Sequence, residues 1–398
     1  MAILKLEELS LRDKRVIMRV DYNVPFHSNG IISDDSRIQA SIPSIQYILN
    51  AGGSVVLMSH LGRPKSGVDS SFSLAPCAKR LSELLGLPVP LAPDCVGPIV
   101  EQMASDLKAG EVLLLENLRF HKGEENPEKE PNFVSQLAKL GQAYVNDAFG
   151  TAHRAHASTA LIAKFFPQAS AAGLLMQKEI QALDFLIHNP PHPFYAIIGG
   201  SKVSTKIGLI KHLLDFVDVL FVGGAMTFTF MKAQGKSTGA SLVEIDQLEL
   251  AKSTLNQAKK AQLRFPVDLV IADSFSNAAK TKIISMDEPI PDGWQGLDIG
   301  PDTVKAWSKC LEDGAVIFWN GPVGAFEMSN FACGTKNLAV NLSSSKGKVV
   351  VGGGDSIAAI QQSGLASQFY HLSTGGGASL EFLENGHLPG IDALTQKA

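Results

Sequence analysis

Unbroken apolar runs that end abruptly in polar or glycine-rich turns recur along the whole chain. Val349 opens the sharpest of them, VVVGGGDSIAAI, in which three valines without polar alternation meet three glycines and then residues able to start a helix. A run of this kind suits a strand buried on both faces of a parallel sheet. Arg15–Val20 (RVIMRV), the SVVLM of Ser54–Lys65, Leu113–Phe120, Ala143–Asn146, Ala196–Lys206, Phe221–Met226, Val267–Phe275 and Val316–Glu327 contain runs of the same type. Between the first two, Ile38, Ile42, Ile45 and Leu49 fall at helical spacing and predict a helix with one buried face. A second helical stretch covers Leu174–Ile187 and meets Asn189-Pro190-Pro191-His192-Pro193, which no helix can continue through. Strands alternating with helices predict an α/β fold.

At 398 residues the chain is long for one core, so two lobes are expected. The boundary is placed across the second helix and its proline stop: a first domain at 1–172, a linker at 173–193 and a second domain at 194–377. Each lobe is predicted to be a doubly wound, mostly parallel sheet flanked by helices, with a helical hinge between them. Apolar residues at 45% and charged residues at 19% describe a globular protein, and a net charge of −4 provides no long-range attraction to nucleic acid or to an acidic membrane. Any anion site is therefore local. Cys77, Cys95, Cys310 and Cys333 lie far apart with no CxxC pair, which argues for a reducing compartment and against a zinc site. The charged amino terminus lacks the pattern of a signal peptide, and no apolar run is long enough to span a bilayer, so a cytoplasmic protein is expected.

The two halves end their strands differently. In the first half, polar side chains follow the strands: Asp21 and Asn23, then His60, Gly62 and Arg63, then Arg119, then Asn146-Asp147. Ligands bind past the carboxyl ends of parallel strands. Arg37 begins a predicted helix, where a cation opposes the helix dipole and so suggests a nearby anion. In TAHRAHAS, His153 and His156 lack a third ligand or the glutamate of an HExxH motif, which leaves Arg154 as the candidate. Each arginine alone is most often a surface charge. Together Arg37, Arg63, Arg119, Arg154 and His60 suit a small, multiply anionic molecule.

In the second half the strands end in glycines, which let a base or a phosphate chain lie against backbone. Lys202 and Lys206 follow Gly199-Gly200 and share a face if that segment is helical. In Gly353-Gly354-Asp355-Ser356 a carboxylate beside a phosphate-type turn implies Mg²⁺ between Asp355 and a nucleotide; the alternative is a tight turn with a helix cap. A dinucleotide fingerprint fails at Ile357, a P-loop fails at Phe230, and Ser356 has no acid and histidine downstream for a nucleophile elbow. Phe275 could cover an adenine ring, or belong to the core or a lid. One lobe for a small anion and one for a magnesium nucleotide suits phosphoryl transfer. An acyl-phosphate-forming ligase would need a base that the sequence does not offer, and a non-catalytic scaffold would not need Lys202, Arg37 and Asp355 together.

RVDYNVP, SHLGRPK, LLENLRF, NDAFGTAHRAHAS, GGSKVSTK, WNGPVGAFE, GGGDS and STGGGASLE stand here in the order of the motifs of the phosphoglycerate kinases, which the chain resembles over almost its whole length. The resemblance implies a monomeric glycolytic and gluconeogenic enzyme that moves the acyl phosphate of 1,3-bisphosphoglycerate to MgADP, giving 3-phosphoglycerate and ATP as its lobes close. It implies a phosphoglycerate site at Asp21, Asn23, Arg37, His60, Arg63, Arg119 and Arg154. It implies a nucleotide site at Lys206, Gly223, Gly224, Asn320, Glu327, Gly353, Gly354, Asp355 and Ser356, with Glu327 on the ribose and Asp355 toward Mg²⁺. Arg37, Lys202, Lys206 and the amides around Gly376 would surround the transferred phosphoryl group, and a tail at 378–398 would return to the first domain. Tyr22, Ser274 and Met328-Ser329-Asn330 depart from the usual family pattern; the last two bear on nucleotide affinity and base preference.

Overall fold

The computed structural model describes residues 3–65, 67–258 and 263–395. The chain divides into two compact units: Met1–Gln181 with His387–Ala398, and Ala182–Gly386. The division falls inside the helix Leu174–Ile187.

Five strands form the sheet of the first unit: β1 (Arg15–Arg19), β2 (Ser54–Met58), β3 (Val112–Leu114), β4 (Ala143–Asn146) and β5 (Ser170–Ala172). All pairings are parallel, in the order β3-β2-β1-β4-β5. Strands β2 to β5 are buried along their whole length, as unbroken apolar runs require. The chain moves outward from β1 to β3 and then returns to the other side of β1 as β4. The strand order therefore reverses at β1 and β4, and the crevice past their carboxyl ends is where such a sheet can take a ligand.

The helix Ser36–Asn50 differs in one respect from the expected apolar stripe. Its buried residues are Ile38, Ser41, Ser44, Ile45 and Ile48, while Ile42 and Leu49 lie at the edge. The serines have polar work to do: Ser41 Oγ meets the Tyr22 hydroxyl at 2.9 Å, and Ser44 Oγ accepts from Leu174 N at 2.8 Å. The hydroxyl that Tyr22 adds to a buried ring is thereby satisfied. From His387 the chain lies with the first unit, where Gly390 N donates to Ala152 O at 2.8 Å; a Cβ on Gly390 would stand 2.9 Å from Ala152 Cα.

In the second unit β6 (Phe194–Ile198), β7 (Val219–Val222) and β8 (Leu263–Arg264) are followed by β9 (Asp268–Ala272), β10 (Thr281–Ser285) and β11 (Gln295–Ile299), then by β12 (Val316–Asn320), β13 (Lys348–Gly352) and β14 (His371–Leu372). Six of them form a parallel sheet in the order β14-β13-β12-β6-β7-β8. The run from Val267 does not join it. Instead β9 is the centre of a separate antiparallel sheet, β10-β9-β11, over its own core of Phe228, Met231, Leu269 and Ile271. Strand β10 is mostly exposed and carries no apolar run, so the sequence pattern did not reveal this layer.

The parallel sheet reverses its order between β6 and β12. There the glycine turns pack backbone to backbone: Gly199 N donates to Asn320 O at 2.8 Å, Gly200 N to Pro322 O at 2.9 Å, and Gly224 N to Val323 O at 3.1 Å. A Cβ on Gly321, whose φ is +93°, would stand 2.3 Å from Gly199 O, and one on Gly199 would stand 2.2 Å from Pro322 O. Close approach of strand ends, and not of a ligand, is what demands glycine at these two positions.

Candidate functional site

In the first unit, the polar residues past β1 and β2 gather around His60. Arg37 Nη1 lies 2.5 Å from Asp21 Oδ2, and Asp21 Oδ1 lies 3.8 Å from His60 Nδ1. The anion that the position of Arg37 implies is thus already present as a carboxylate. Asn23 Oδ1 accepts from Gly62 N at 2.8 Å, and Arg119 donates to Gly62 O, so the turn after β2 is held from two sides. Gly62 has a φ of +60° and lies against Phe72, whose ring a Cβ would enter at 2.3 Å.

Arg19 is the member of this cluster that sequence reading passed over. It ends β1, only 1% exposed, and donates from Nε to Ser158 Oγ at 2.8 Å and from Nη1 to Val20 O. Its third contact is Nη2 to His60 Nδ1 at 3.1 Å. A guanidinium can only donate, so His60 Nδ1 accepts and the ring proton sits on Nε2. Burial first, then the fields of Arg19, Arg119, Arg37 and Arg154, hold His60 well below its ordinary pKa. The imidazole is therefore a neutral hydrogen-bond donor among four cations. The signal was an arginine set between Met18 and Val20 in the run RVIMRV, where the strand leaves the core.

The charge of Arg19 is balanced through Ser158, whose Oγ donates to Glu124 Oε1 at 2.6 Å and whose N donates to Oε2 at 3.1 Å. Glu124 is fully buried, and burial raises its pKa against the pull of Arg19. Arg119 reaches Glu125 Oε1 at 3.0 Å, while its Nε is buried with no acceptor among the described residues. An unsatisfied buried donor is costly, and an anionic oxygen would relieve it. Arg154 is half-buried with Nε 3.2 Å from His153 Nε2. Arg63 is exposed and makes no hydrogen bond or ion pair among the described residues. The structure thus gathers Asp21, Arg37, His60, Arg119 and Arg154, ties Asn23 to their turn, and leaves Arg63 outside the bonded set.

In the second unit, a cleft of about 400 Å³ opens beside the reversal of the sheet. Its wall includes Gly224, Leu242, Phe275, Val323, Glu327 and Asp355. Phe275 is 69% exposed at this wall, which places it over the cleft and not in the core. Glu327 is exposed, with no partner among the described residues. The lining is mainly apolar with a few polar groups, and the volume suits a base and ribose. Gly223 serves packing, since a Cβ there would stand 2.8 Å from Val323.

A smaller adjoining cleft of about 260 Å³ is lined by Lys202, Lys206, Gly353, Gly354 and Asp355 among others. The segment carrying the lysines is not helical, because the helix starts at Ile207 with Lys206 as its cap; the two reach one cleft by way of a turn. Lys206 Nζ donates to Asn320 Oδ1, and burial, opposed by the field of Asp355, lowers its pKa to about 8. Asn320 Nδ2 is buried without an acceptor among the described residues. Asp355 lies in the first turn of the helix Gly354–Gln362, exposed and without a hydrogen-bond donor among the described residues. A Cβ on Gly354, Gly376 or Gly377 would meet nothing within 4 Å, so these backbones face open space. Gly376 caps the helix Gly377–Asn385 at φ +54°. Ser356 differs from its neighbours: it is fully buried, and its hydroxyl oxygen accepts from Gly321 N at 2.7 Å.

Lysines, the amides of a helix start and an unpaired carboxylate in one cleft, with the orphaned amide of Asn320 behind Lys206, are what a polyphosphate and a hard divalent cation require. Asp355 fits the cation, because an exposed carboxylate beside phosphate is tolerable with a positive charge between them.

Comparison with known proteins identifies the family and the fold. The sequence pattern of one family, described as phosphoglycerate kinase, matches residues 6–386. The chain is similar to the cytosolic phosphoglycerate kinase of Nicotiana tabacum, 52% identical over 394 residues that cover 98% of this chain and 97% of that protein. It is also similar to the phosphoglycerate kinase of Moorella thermoacetica, 51% identical over 399 residues and the whole of both chains. Among solved structures, phosphoglycerate kinase from Coxiella burnetii superposes with a TM-score of 0.89 at 41% identity, covering 99% of each chain.

Proposed function

The chain belongs to the phosphoglycerate kinase family, and from that premise we propose how its residues carry the reaction, the reversible transfer of the acyl phosphate of 1,3-bisphosphoglycerate to ADP, giving 3-phosphoglycerate and ATP. Arg37, Arg119, Arg154 and the Nε2 proton of His60 bind and orient the phosphoglycerate, with Asp21 and Asn23 positioning the donors and Arg63 joining as the ligand arrives. Gly224, Val323 and Phe275 hold the base, Glu327 takes the ribose, and Lys202, Lys206, Asn320 and the amides from Gly353 to Asp355 take the phosphates. Ser356 contributes by shaping the turn.

An oxygen of the ADP β-phosphate attacks the acyl phosphorus as its bond to the carboxyl oxygen breaks, and the carboxylate leaves. Both oxygens are already anionic, so no general base is needed; positioning and neutralisation of spread charge suffice. Arg37, Lys202, Lys206 and the amides around Gly376 supply that neutralisation. Asp355, with the nucleotide phosphates, would hold Mg²⁺, which would supply positive charge at the phosphates. Each unit carries only part of this set, so the reaction requires the units to close, which also keeps water from the acyl phosphate. The enzyme acts as a monomer in the cytosol; four cysteines without a disulfide suit a reducing compartment, and no helix among the described residues is long and apolar enough to cross a membrane.

The observation that carries the mechanism is the single cleft shared by Lys202, Lys206 and Asp355. Incubation with 3-phosphoglycerate and MgATP, with acyl phosphate trapped by hydroxylamine, should give product that depends on both substrates and on the metal. Product formed equally well without a divalent cation would overturn the role given to Asp355.

A further inference from the structure

We propose that Asp94, Cys95 and His121 bind a thiophilic divalent cation of the zinc class on the first unit, outside the anion cluster. The spacing of the cysteines alone argues against a zinc site, and the fold supplies what the spacing lacks. Leu91 bridges Leu114 in parallel, and Ala92 N donates to Leu114 O at 2.8 Å, which lays the segment after Leu91 beside the continuation of β3. A ring nitrogen of His121, Cys95 Sγ and a carboxylate oxygen of Asp94 then lie within 4.8 Å of one another. Ligands held at about 2.0–2.3 Å around a tetrahedral zinc ion stand roughly 3.3–3.8 Å apart. Small movements of these side chains would close that gap, and Asp94, 46% exposed at its side chain, is the freest to move.

The ring of His121 is already oriented. Its Nδ1 is 2.9 Å from Glu130 Oε1, and Phe133 stacks on it with centroids 4.6 Å apart and planes 17° from parallel. A carboxylate on Nδ1 is the usual outer support of a zinc-bound imidazole, and it leaves Nε2 as the nitrogen facing the cation. That other nitrogen, Nε2, is 2.7 Å from Asp94 Oδ1, with a proton between them where the cation would sit. Cys95 Sγ is buried, and its thiol donates to Glu116 O at 2.9 Å. Binding sends this thiol proton and the proton between His121 and Asp94 to solvent, and sulfur, nitrogen and oxygen each form one bond to the cation. A thiolate, an imidazole and a single carboxylate select zinc-like ions over Mg²⁺, which prefers oxygen throughout. Water fills the fourth position through the exposed side of Asp94.

Co²⁺ titration of the full chain tests this, without nucleotide, with a phosphine reductant and excess Mg²⁺ to occupy oxygen sites. The wild type should take up one equivalent, showing thiolate-to-cobalt charge-transfer absorption and the intense visible bands of tetrahedral cobalt, both removed by Zn²⁺. Cys95→Ser should abolish the charge-transfer band. Asp94→Asn changes an exposed side chain, so it decides the matter if Cys95→Ser does not fold, and it should weaken binding at least about tenfold. Cys310→Ser and Cys333→Ser should leave the spectrum unchanged. A band absent from the wild type, retained in Cys95→Ser or lost in Cys333→Ser would reduce the cluster to an ion-paired histidine and overturn the site.

Discussion

Replacing Ser356 with alanine tests whether this residue supports the nucleotide turn or touches the nucleotide. Its hydroxyl is fully buried and accepts from Gly321 N at 2.7 Å. Alanine leaves that amide without a partner, and Gly321 cannot swing to find another, since its φ is +93° and its Cα faces the Gly199 carbonyl. The loss should therefore be that of a buried unsatisfied donor, about 1–3 kcal/mol. In the unfolding equilibrium that is roughly 5- to 150-fold. All three tryptophans, Trp294, Trp307 and Trp319, lie in the second unit, so their fluorescence follows its unfolding alone. Trp319 Nε1 donates to Gly321 O at 2.8 Å, which makes this reporter sensitive to the same turn. Denaturant titration should show a lower midpoint for Ser356→Ala at an unchanged slope, and saturating ADP should raise both midpoints while leaving the difference in place. An unchanged midpoint together with a tenfold or larger loss of ADP affinity would refute the reasoning and make Ser356 a direct ligand of the nucleotide.

Arg37→Ala should lower turnover by something on the order of 10³, the lower end for an arginine that stabilises a phosphoryl transition state, and steady-state kinetics that show a raised KM alone would make it a binding residue. Asp355→Asn should weaken MgADP binding far more than metal-free ADP binding, and equal losses by calorimetry would mean that the carboxylate shapes the turn. Burial lowers the pKa of Lys206 to about 8, so the folded chain binds fewer protons than the unfolded chain from there up to the ordinary lysine value, and this group's contribution to stability rises with pH across that window. Phosphate binding runs the other way: ADP affinity should fall by up to about tenfold per pH unit above ~8 as the charge is lost, whereas Lys206→Arg should stay flat. The same slope in both proteins would remove Lys206 from the phosphate site.

By itself the sequence determined the local elements and the stock of chemistry. Runs such as Val349–Val351 and Val55–Met58 favour buried parallel strands, because no side chain in them gains from facing water, and polar groups or glycines follow where those strands leave the core. The motifs from RVDYNVP to STGGGASLE carried the family, since eight such stretches in one order resist coincidence. Relations between distant segments were left to the tertiary structure. Arg19 reads as one more strand residue until the fold sets it against His60 and Ser158, fixing a tautomer that no spacing encodes. Ser356 reads as part of a phosphate turn until Gly321, 35 residues away, takes its hydroxyl. The glycines at 199 and 321 read as room for a ligand, yet what fills that room is the backbone of the neighbouring strand. In each case the deciding quantity is a distance across strands, which depends on the order of the sheet and on packing, and neither is a property of any short stretch of chain.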